Sequence, residues 1–374
     1  MSTIRISERT SVDEVIGWDM SRCQAARISK RSSFEAGAQG LALASLAGLS
    51  SDGEDFLLDC DFEEPRTPEE LNATLFSSAF GFAISRRAKR IHFMGKPAAP
   101  DFKPALADLY KSKGGVLGLG AARSLVCVDP IFPLPPELAE AGMEQTDEGF
   151  PAPSVFGAML QRTVQAMGFR RLLGSAGESS VVSFIYEALR NSLEHGIPSD
   201  FARRSRSTRA LVVEKVVLQG SDVASRRLSP ELKEYLARIS EGNKDLGLGA
   251  ACFTVADQGN GIQFTLPAKL EESAEQRLAR AFQPGESRKP SGVVKRGLGL
   301  PAVVSAAHHL QALVRITSGN LDLTQDFSTG EHKYPTLEFS SVRALPSTFL
   351  AGTCVSIFVP EFSRDLDQGS LFGR

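Results

Sequence analysis

Apolar residues between positions 181 and 195 recur at the helical period: Val181, Phe184, Ile185, Ala188 and Leu189 form one stripe. Glu187, Asn191 and His195 fall every fourth residue on another face. The pattern predicts one helix that buries its apolar side and presents a carboxylate, an amide and an imidazole on the other. Before it, residues 154–167 look helical and 174–179 read as a loop. After it, residues 210–218 alternate as a strand, 230–239 carry a helical pattern, and AACFTVA at 250–256 is a buried strand ending at Asp257. A further helix is expected over 301–310, then strands at 313–318, 321–324, 336–340 and 354–360.

The first third alternates as well. An Ala/Leu-rich helix is predicted at 34–47, a strand at 55–60, and a helix opening at Thr67 with Pro68 in its first turn and running toward Arg87. RIHFM at 90–94 and SLVCV at 124–128 are short buried strands flanking a helix at 104–111. This is the pattern of an α/β layer domain. Its order of elements resembles the STAS-type regulatory fold, with an unassigned α/β domain as the alternative. GGVLGLGAARS at 114–124 has Gly115, Gly118 and Gly120 but Arg123 where a dinucleotide fingerprint needs its third glycine, so it reads as a loop. Residues 129–153 are rich in proline and acidic side chains and read as a linker. The expected organisation is therefore 1–128, a linker at 129–153, a second domain at 154–362 and a tail at 363–374.

Composition narrows the chemistry mainly by exclusion. A net charge of −2 over 374 residues offers no global attraction to nucleic acid or anionic lipid. Cys23, Cys60, Cys127, Cys252 and Cys354 show no CxxC spacing, which argues against a zinc site or disulfide framework and for reduced thiols in a cytoplasmic protein. No leader-like start and no apolar run of the ~18 residues that cross a bilayer is present. Arg203, Arg204, Arg206 and Arg209 read as a solvated turn rather than a binding patch.

Two glycine motifs do suggest a ligand. In Asp257-Gln-Gly259-Asn-Gly261 a carboxylate leaves a strand end beside two positions free to adopt positive φ or to let a ligand lie on the backbone. Arg296-Gly297-Leu298-Gly299-Leu300 precedes a helix, where free backbone N–H groups and the helix dipole favour an anion. No GxxxxGK[ST] sequence occurs, which counts against a P-loop enzyme.

In order, Glu187…Asn191, Asp257-x-Gly259-x-Gly261, Gly297-x-Gly299-Leu300 and Gly352-Thr353 resemble the N, G1, G2 and G3 boxes of the GHKL ATPases, the superfamily of gyrase, MutL, sensor histidine kinases and anti-sigma-factor kinases. The resemblance spans about residues 154–362. It implies an α/β sandwich with a mixed, mostly antiparallel sheet and helices on one face. It further implies that ATP and Mg²⁺ are bound, with Asn191 on the metal, Asp257 receiving the adenine amino group and Thr353 supporting Asp257. Gly259 and Gly261 would pass under the base; Gly297, Leu298 and Gly299 would meet phosphate; Glu187 would polarise the attacking water. Residues 263–295 would form a lid, with Arg288, Lys289, Lys295 and Arg296 closing on the triphosphate. His195 stands open between nucleotide contact and packing.

The use made of ATP is less determined. The histidine preceding the N box is His92, expected on a strand, which argues against autophosphorylation on histidine. The segment after Pro360 is too short for a transducer domain, so hydrolysis or phosphotransfer would be coupled to the N-terminal domain, to a protein partner through that domain or the lid, or to a second copy of the chain. A non-hydrolysing nucleotide-gated binding module and an anti-sigma-type serine kinase are the alternatives.

Overall fold

The computed structural model describes residues 2–49, 56–118, 122–128, 151–168, 175–196, 207–217, 228–242, 246–284, 299–330, 335–338, 342–349 and 351–362. Its first part contains β1 (Ser2–Ile6), α1 (Val12–Ile16), β2 (Cys23–Ile28), α2 (Ala38–Ser45), β3 (Leu57–Cys60), α3 (Pro68–Ala73), α4 (Ala79–Arg87), β4 (Arg90–Phe93), β5 (Lys96–Pro97) and α5 (Phe102–Ser112). β1 to β4 pair in chain order, each parallel to the next, and β5 returns antiparallel. Helical crossovers supply the connections that parallel neighbours require. Ile4, Ile6, Ala26, Ile28, Leu58, Ile91 and Phe93 face a common core, whereas Arg5, Arg27 and Arg90 occupy exposed alternate positions.

Three details depart from the sequence pattern. The expected helix from Thr67 toward Arg87 is broken. Thr67 and Glu70 form the capping box behind Pro68, but Thr74 leaves helical geometry (φ −117°, ψ −95°), and Ser78 caps a new helix by accepting from the Gly81 N–H. The helix expected at 34–47 starts only at Ala38, because Gly37 is left-handed at φ 82°. β1, α1 and β2 lie ahead of the region in which elements were expected.

The second sheet contains β6 (Val116–Leu117), β7 (Ala122–Val128), β8 (Thr208–Val217), β9 (Leu246–Asp257), β10 (Leu313–Gly319), β11 (Leu321–Asp326), β12 (Val342–Ala344) and β13 (Ala351–Phe362). Its order is β12-β11-β10-β13-β9-β8-β7-β6, and every pairing is antiparallel. It draws β6 and β7 from before residues 129–150 and the other strands from after them. The helices that accompany it among the described residues are α6 (Pro153–Ala166), α7 (Ser175–His195), α8 (Pro230–Gly242), α9 (Ala274–Arg280) and α10 (Gly299–His309). α7 begins at Ser175, inside the stretch expected as a loop. Residues 335–338, expected in part as a strand, are not one; the Gln325 side chain spans them instead, donating to the Thr336 carbonyl at 2.9 Å and accepting from the Glu338 N–H at 3.0 Å.

Strand alternation sends successive side chains to opposite faces. Leu211, Val213, Phe253, Val255, Val355 and Ile357 pack with Phe156, Phe184, Ile185, Leu189, Val303 and Ala307 of α6, α7 and α10. Ala210, Val212, Ala256 and Cys354 enter the other core, with α2, α4 and the five-stranded sheet. Val216, Cys252 and Phe358 pack with Leu232, Tyr235 and Leu236 of α8. The larger sheet is thus covered on both faces, where the resemblance implies helices on one.

The cause is α2, all eight of whose residues are buried. A helix with no solvent face must be enclosed on all sides, and its polar Gln39 finds a partner there by accepting from the Ala79 N–H at 2.8 Å. Gly40 permits the approach, since a Cβ there would collide with the Thr254 side chain on β9. At the same seam two carboxylates cross between the parts: the Gly37 N–H donates to Glu214 Oε2 at 2.7 Å, and the Ser229 N–H donates to Glu35 Oε1 at 2.8 Å. Burial pushes both carboxyls up to about 7.

Gly40→Ala should destabilise the fold by about 1–3 kcal/mol through overpacking, read as a lower denaturant midpoint. A raised folded pKa means that the native state holds the extra proton, so the contribution of Glu35 and Glu214 is fully present below about 4.5 and is lost as pH rises through about 7. The stability difference between wild type and Glu214→Gln should therefore change between pH 5 and pH 8, with wild type losing more over that interval. Parallel pH profiles of the two proteins would refute the assignment.

Candidate functional site

Asp257 is the last residue of β9 and is only 3 % exposed. Its Oδ1 accepts from the Gly259 N–H at 2.9 Å and from the Thr353 N–H at 3.2 Å, Thr353 being its register partner on β13. Burial dominates over these bonds and over the favourable field of Arg209, pushing the carboxyl up to about 6. Arg209 itself corrects the reading of a solvated turn: it lies in β8, fully buried. Arg203, Arg204 and Arg206 lie outside the described residues.

Glycines make this corner possible. A Cβ on Gly352 would run into the Asp257 carbonyl and come within 2.8 Å of the Gln258 Cα. A Cβ on Gly196, the residue after α7, would stand 2.7 Å from Asp257 Oδ2, and one on Gly259 would stand 2.8 Å from the Gly196 Cα. Real Cβ atoms do not approach so closely, so the end of α7, the Asp257 turn and β13 meet backbone to backbone. Gly261 has φ 97°, and the turn beyond it is held by β10: the Ile262 N–H donates to Ser318 Oγ at 2.6 Å, and that hydroxyl donates to Gln263 Oε1 at 2.6 Å.

A second cluster lies farther up α7. Gly299 opens α10, and a Cβ there would sit 2.9 Å from Glu187 Oε2 and 3.0 Å from Asn191 Nδ2. Both side chains are partly buried, and the Asn191 Nδ2 atom is buried without a hydrogen-bond partner. The positive end of the helix dipole at the start of α10 makes this end attractive to an anion. His195 is a turn beyond Asn191, half-exposed, with Nε2 3.7 Å from Glu194 Oε2.

α7 joins the two clusters. At ~1.5 Å per residue, Asn191 and Gly196 are about 7.5 Å apart along its axis. The site is elongated, with a buried carboxylate at one end and a helix N-terminus, a carboxylate and an amide at the other. Among the described residues there is no group of three or more His, Cys, Asp and Glu arranged to hold a metal. An oxygen-seeking cation sharing ligands with an anion would fit the second cluster, where one amide stands beside one carboxylate.

The structure therefore brings together Glu187, Asn191 and Gly299, and separately Asp257, Gly259 and Thr353, with Gly261 one turn on. Arg288, Lys289, Lys295, Arg296, Gly297 and Leu298 lie outside the described residues. The described part of the expected lid is partly regular. Ile262–Phe264 is a 3₁₀ turn, and α9 has a capping box of Ser273 and Gln276, with Arg280 donating to Glu272 at 2.9 Å. Sequence reasoning missed Gly196, Arg209, Gln263 and Ser318. Gly196 carried a signal, since a glycine directly after a helical pattern marks its end.

Compared with known proteins, the chain matches no family model, no curated protein and no solved structure. No helix among the described residues is long and apolar enough to cross a membrane.

Gly196→Ala should displace the Asp257 carboxylate and lower stability by about 1–3 kcal/mol. Urea unfolding checks this, and a variant as stable as wild type would show that α7 and the Asp257 turn are not in close contact.

Proposed function

We propose that the larger sheet with α7 and α10 forms a GHKL-type domain that binds ATP with Mg²⁺, and that the N-terminal elements are the regulatory or partner-binding part coupled to it. One observation carries the reading. A single helix links the buried carboxylate of Asp257 to the N-terminus of α10, with Glu187 and Asn191 at the α10 end. Those are the two ends that an adenine nucleotide needs, an acceptor for an exocyclic amine and a seat for phosphates, and the four sequence motifs supply them in order.

In this reading Asp257 accepts a hydrogen bond from the adenine amino group, and Thr353 and Gly259 hold the carboxylate through their N–H groups. Gly259 and Gly261 leave room for the base. Gly299, with Gly297 and Leu298, offers backbone N–H groups to phosphate, and Arg288, Lys289, Lys295 and Arg296 supply cations from the segment before them. Mg²⁺, when bound, neutralises charge on the phosphates, and Asn191 is its protein ligand. The ligand atom would be Asn191 Oδ1, since hard Mg²⁺ takes oxygen donors, and the Glu187 carboxylate stands near the same Gly299. Glu187 orients and deprotonates the attacking water, or the hydroxyl of an acceptor, from within hydrogen-bond reach. His195 lies at the edge of the site.

The outcome is ATP hydrolysis or phosphotransfer without autophosphorylation on histidine; His92 lies in β4, not on a helix. The exposed face of the five-stranded sheet, which carries Arg5, Arg27 and Arg90, supports partner binding there, whether or not that sheet is of the STAS type.

Titration calorimetry with ATP, ADP and Mg²⁺ tests the reading. Wild type should bind in a Mg²⁺-dependent way, Asp257→Asn and Asn191→Ala should weaken binding about tenfold or more, and Glu187→Ala should bind while losing about 10²-fold or more of turnover. Absence of binding to wild type overturns the proposal. Binding without turnover makes the domain a nucleotide-gated module, and transfer of labelled phosphate to a protein serine makes it a kinase.

A further inference from the structure

Between Asp257 and Gly259 stands Gln258, 2 % exposed, whose side chain faces away from the site. Alternation along β9 sends it through the opposite face of the sheet, into the N-terminal elements. Its Nε2 donates to Thr208 Oγ1 at 2.9 Å and to the Leu43 carbonyl of α2 at 3.4 Å. Arg87, the last residue of α4, donates from Nη1 to Gln258 Oε1 at 3.4 Å and from Nη2 to the Leu49 carbonyl at 3.5 Å. One side chain thus touches β8, α2 and α4 from the middle of the motif that holds Asp257.

We propose that Gln258 is a positioning residue that couples docking of the N-terminal elements to nucleotide binding at Asp257 and Gly259. The proposal rests on the ATP-site reading above. The amide is buried beside a core that contains Ala210, Val212 and Ala256, so its only polar partners are the ones the protein supplies. An amide there must keep its partners, because burial without them is unfavourable. If α2 or α4 moves, Gln258 can find new partners only by turning its backbone. That backbone is shared with Asp257, whose carboxylate is tied to the Gly259 N–H, and Gly352 leaves no slack beside it. Loss of docking therefore disturbs the adenine acceptor. Linkage requires the reverse too: nucleotide on Asp257 strengthens docking by the same factor.

Hydrogen–deuterium exchange of the full chain with and without saturating Mg²⁺-ATP, alongside calorimetry, tests the coupling in wild type, Gln258→Ala and Thr208→Val. In wild type, Mg²⁺-ATP should slow exchange in residues 38–49 and 79–87. Gln258→Ala should bind ATP about five- to tenfold more weakly and show no such slowing at saturation, and Thr208→Val should show a smaller loss of both. Should Gln258→Ala fail to fold, Thr208→Val, which removes only the acceptor hydroxyl, carries the comparison. Variants with wild-type affinity and wild-type slowing overturn the proposal, as does wild type that binds ATP without slowing in either segment. Wild type that binds no ATP overturns the nucleotide reading itself, and that result is visible before any variant is made.

Discussion

The close approach of α2 to the larger sheet is the contact on which the rest of the molecule depends. A helix of alanine, leucine, glycine, serine and one glutamine with every residue buried has no solvent face, so it can exist only between two surfaces that both accept it. Gly40 removes the Cβ that would hold it off Thr254, and Gly37 turns the chain into the helix with a left-handed φ. Once α2 is seated, the five-stranded sheet has a floor and the larger sheet is closed on its second face. Interior packing at crystal-like density then makes the two parts respond to each other.

The polar groups inside that seam give it a defined register. Glu214 from the larger sheet meets the Gly37 N–H at the start of α2, while Glu35, just before α2, meets the Ser229 N–H at the start of α8. Each part supplies a carboxyl oxygen as acceptor to a backbone N–H at a helix start on the other side. Gln258 adds an amide that reaches α2 and α4. Apolar surfaces alone would tolerate sliding; buried groups that must each find one partner do not.

The candidate site follows from the same geometry on the opposite face. α7 packs with Phe184, Ile185 and Leu189 against the sheet, which leaves Glu187 and Asn191 facing the start of α10 and Gly196 against Asp257. Much of this was legible in the chain. The stripe on α7, the strand ending at Asp257 and the glycine that opens α10 are local patterns, and local patterns survive folding when packing agrees with them. Arg209 was not legible: among four arginines it looked solvated, and only the pairing of β8 with β9 brings it into the field of Asp257. Ser318 and Gln263 were hidden for a similar reason. Each is an ordinary polar residue until β10 and the turn after Gly261 are placed side by side.

By itself the sequence determined the helical and strand periods of most elements, the N-cap at Thr67 with Pro68 opening the helix, and the order of the motif residues, because each depends on residues within a few positions of one another. The tertiary structure decided what distance along the chain conceals. It broke the helix after Ala73, placed β6 and β7 in the larger sheet, and buried α2 on all sides, so that a sheet expected to carry helices on one face carries them on both. Strand pairing and helix seating are set by which surfaces fit together across hundreds of residues, and no period in the sequence records that fit.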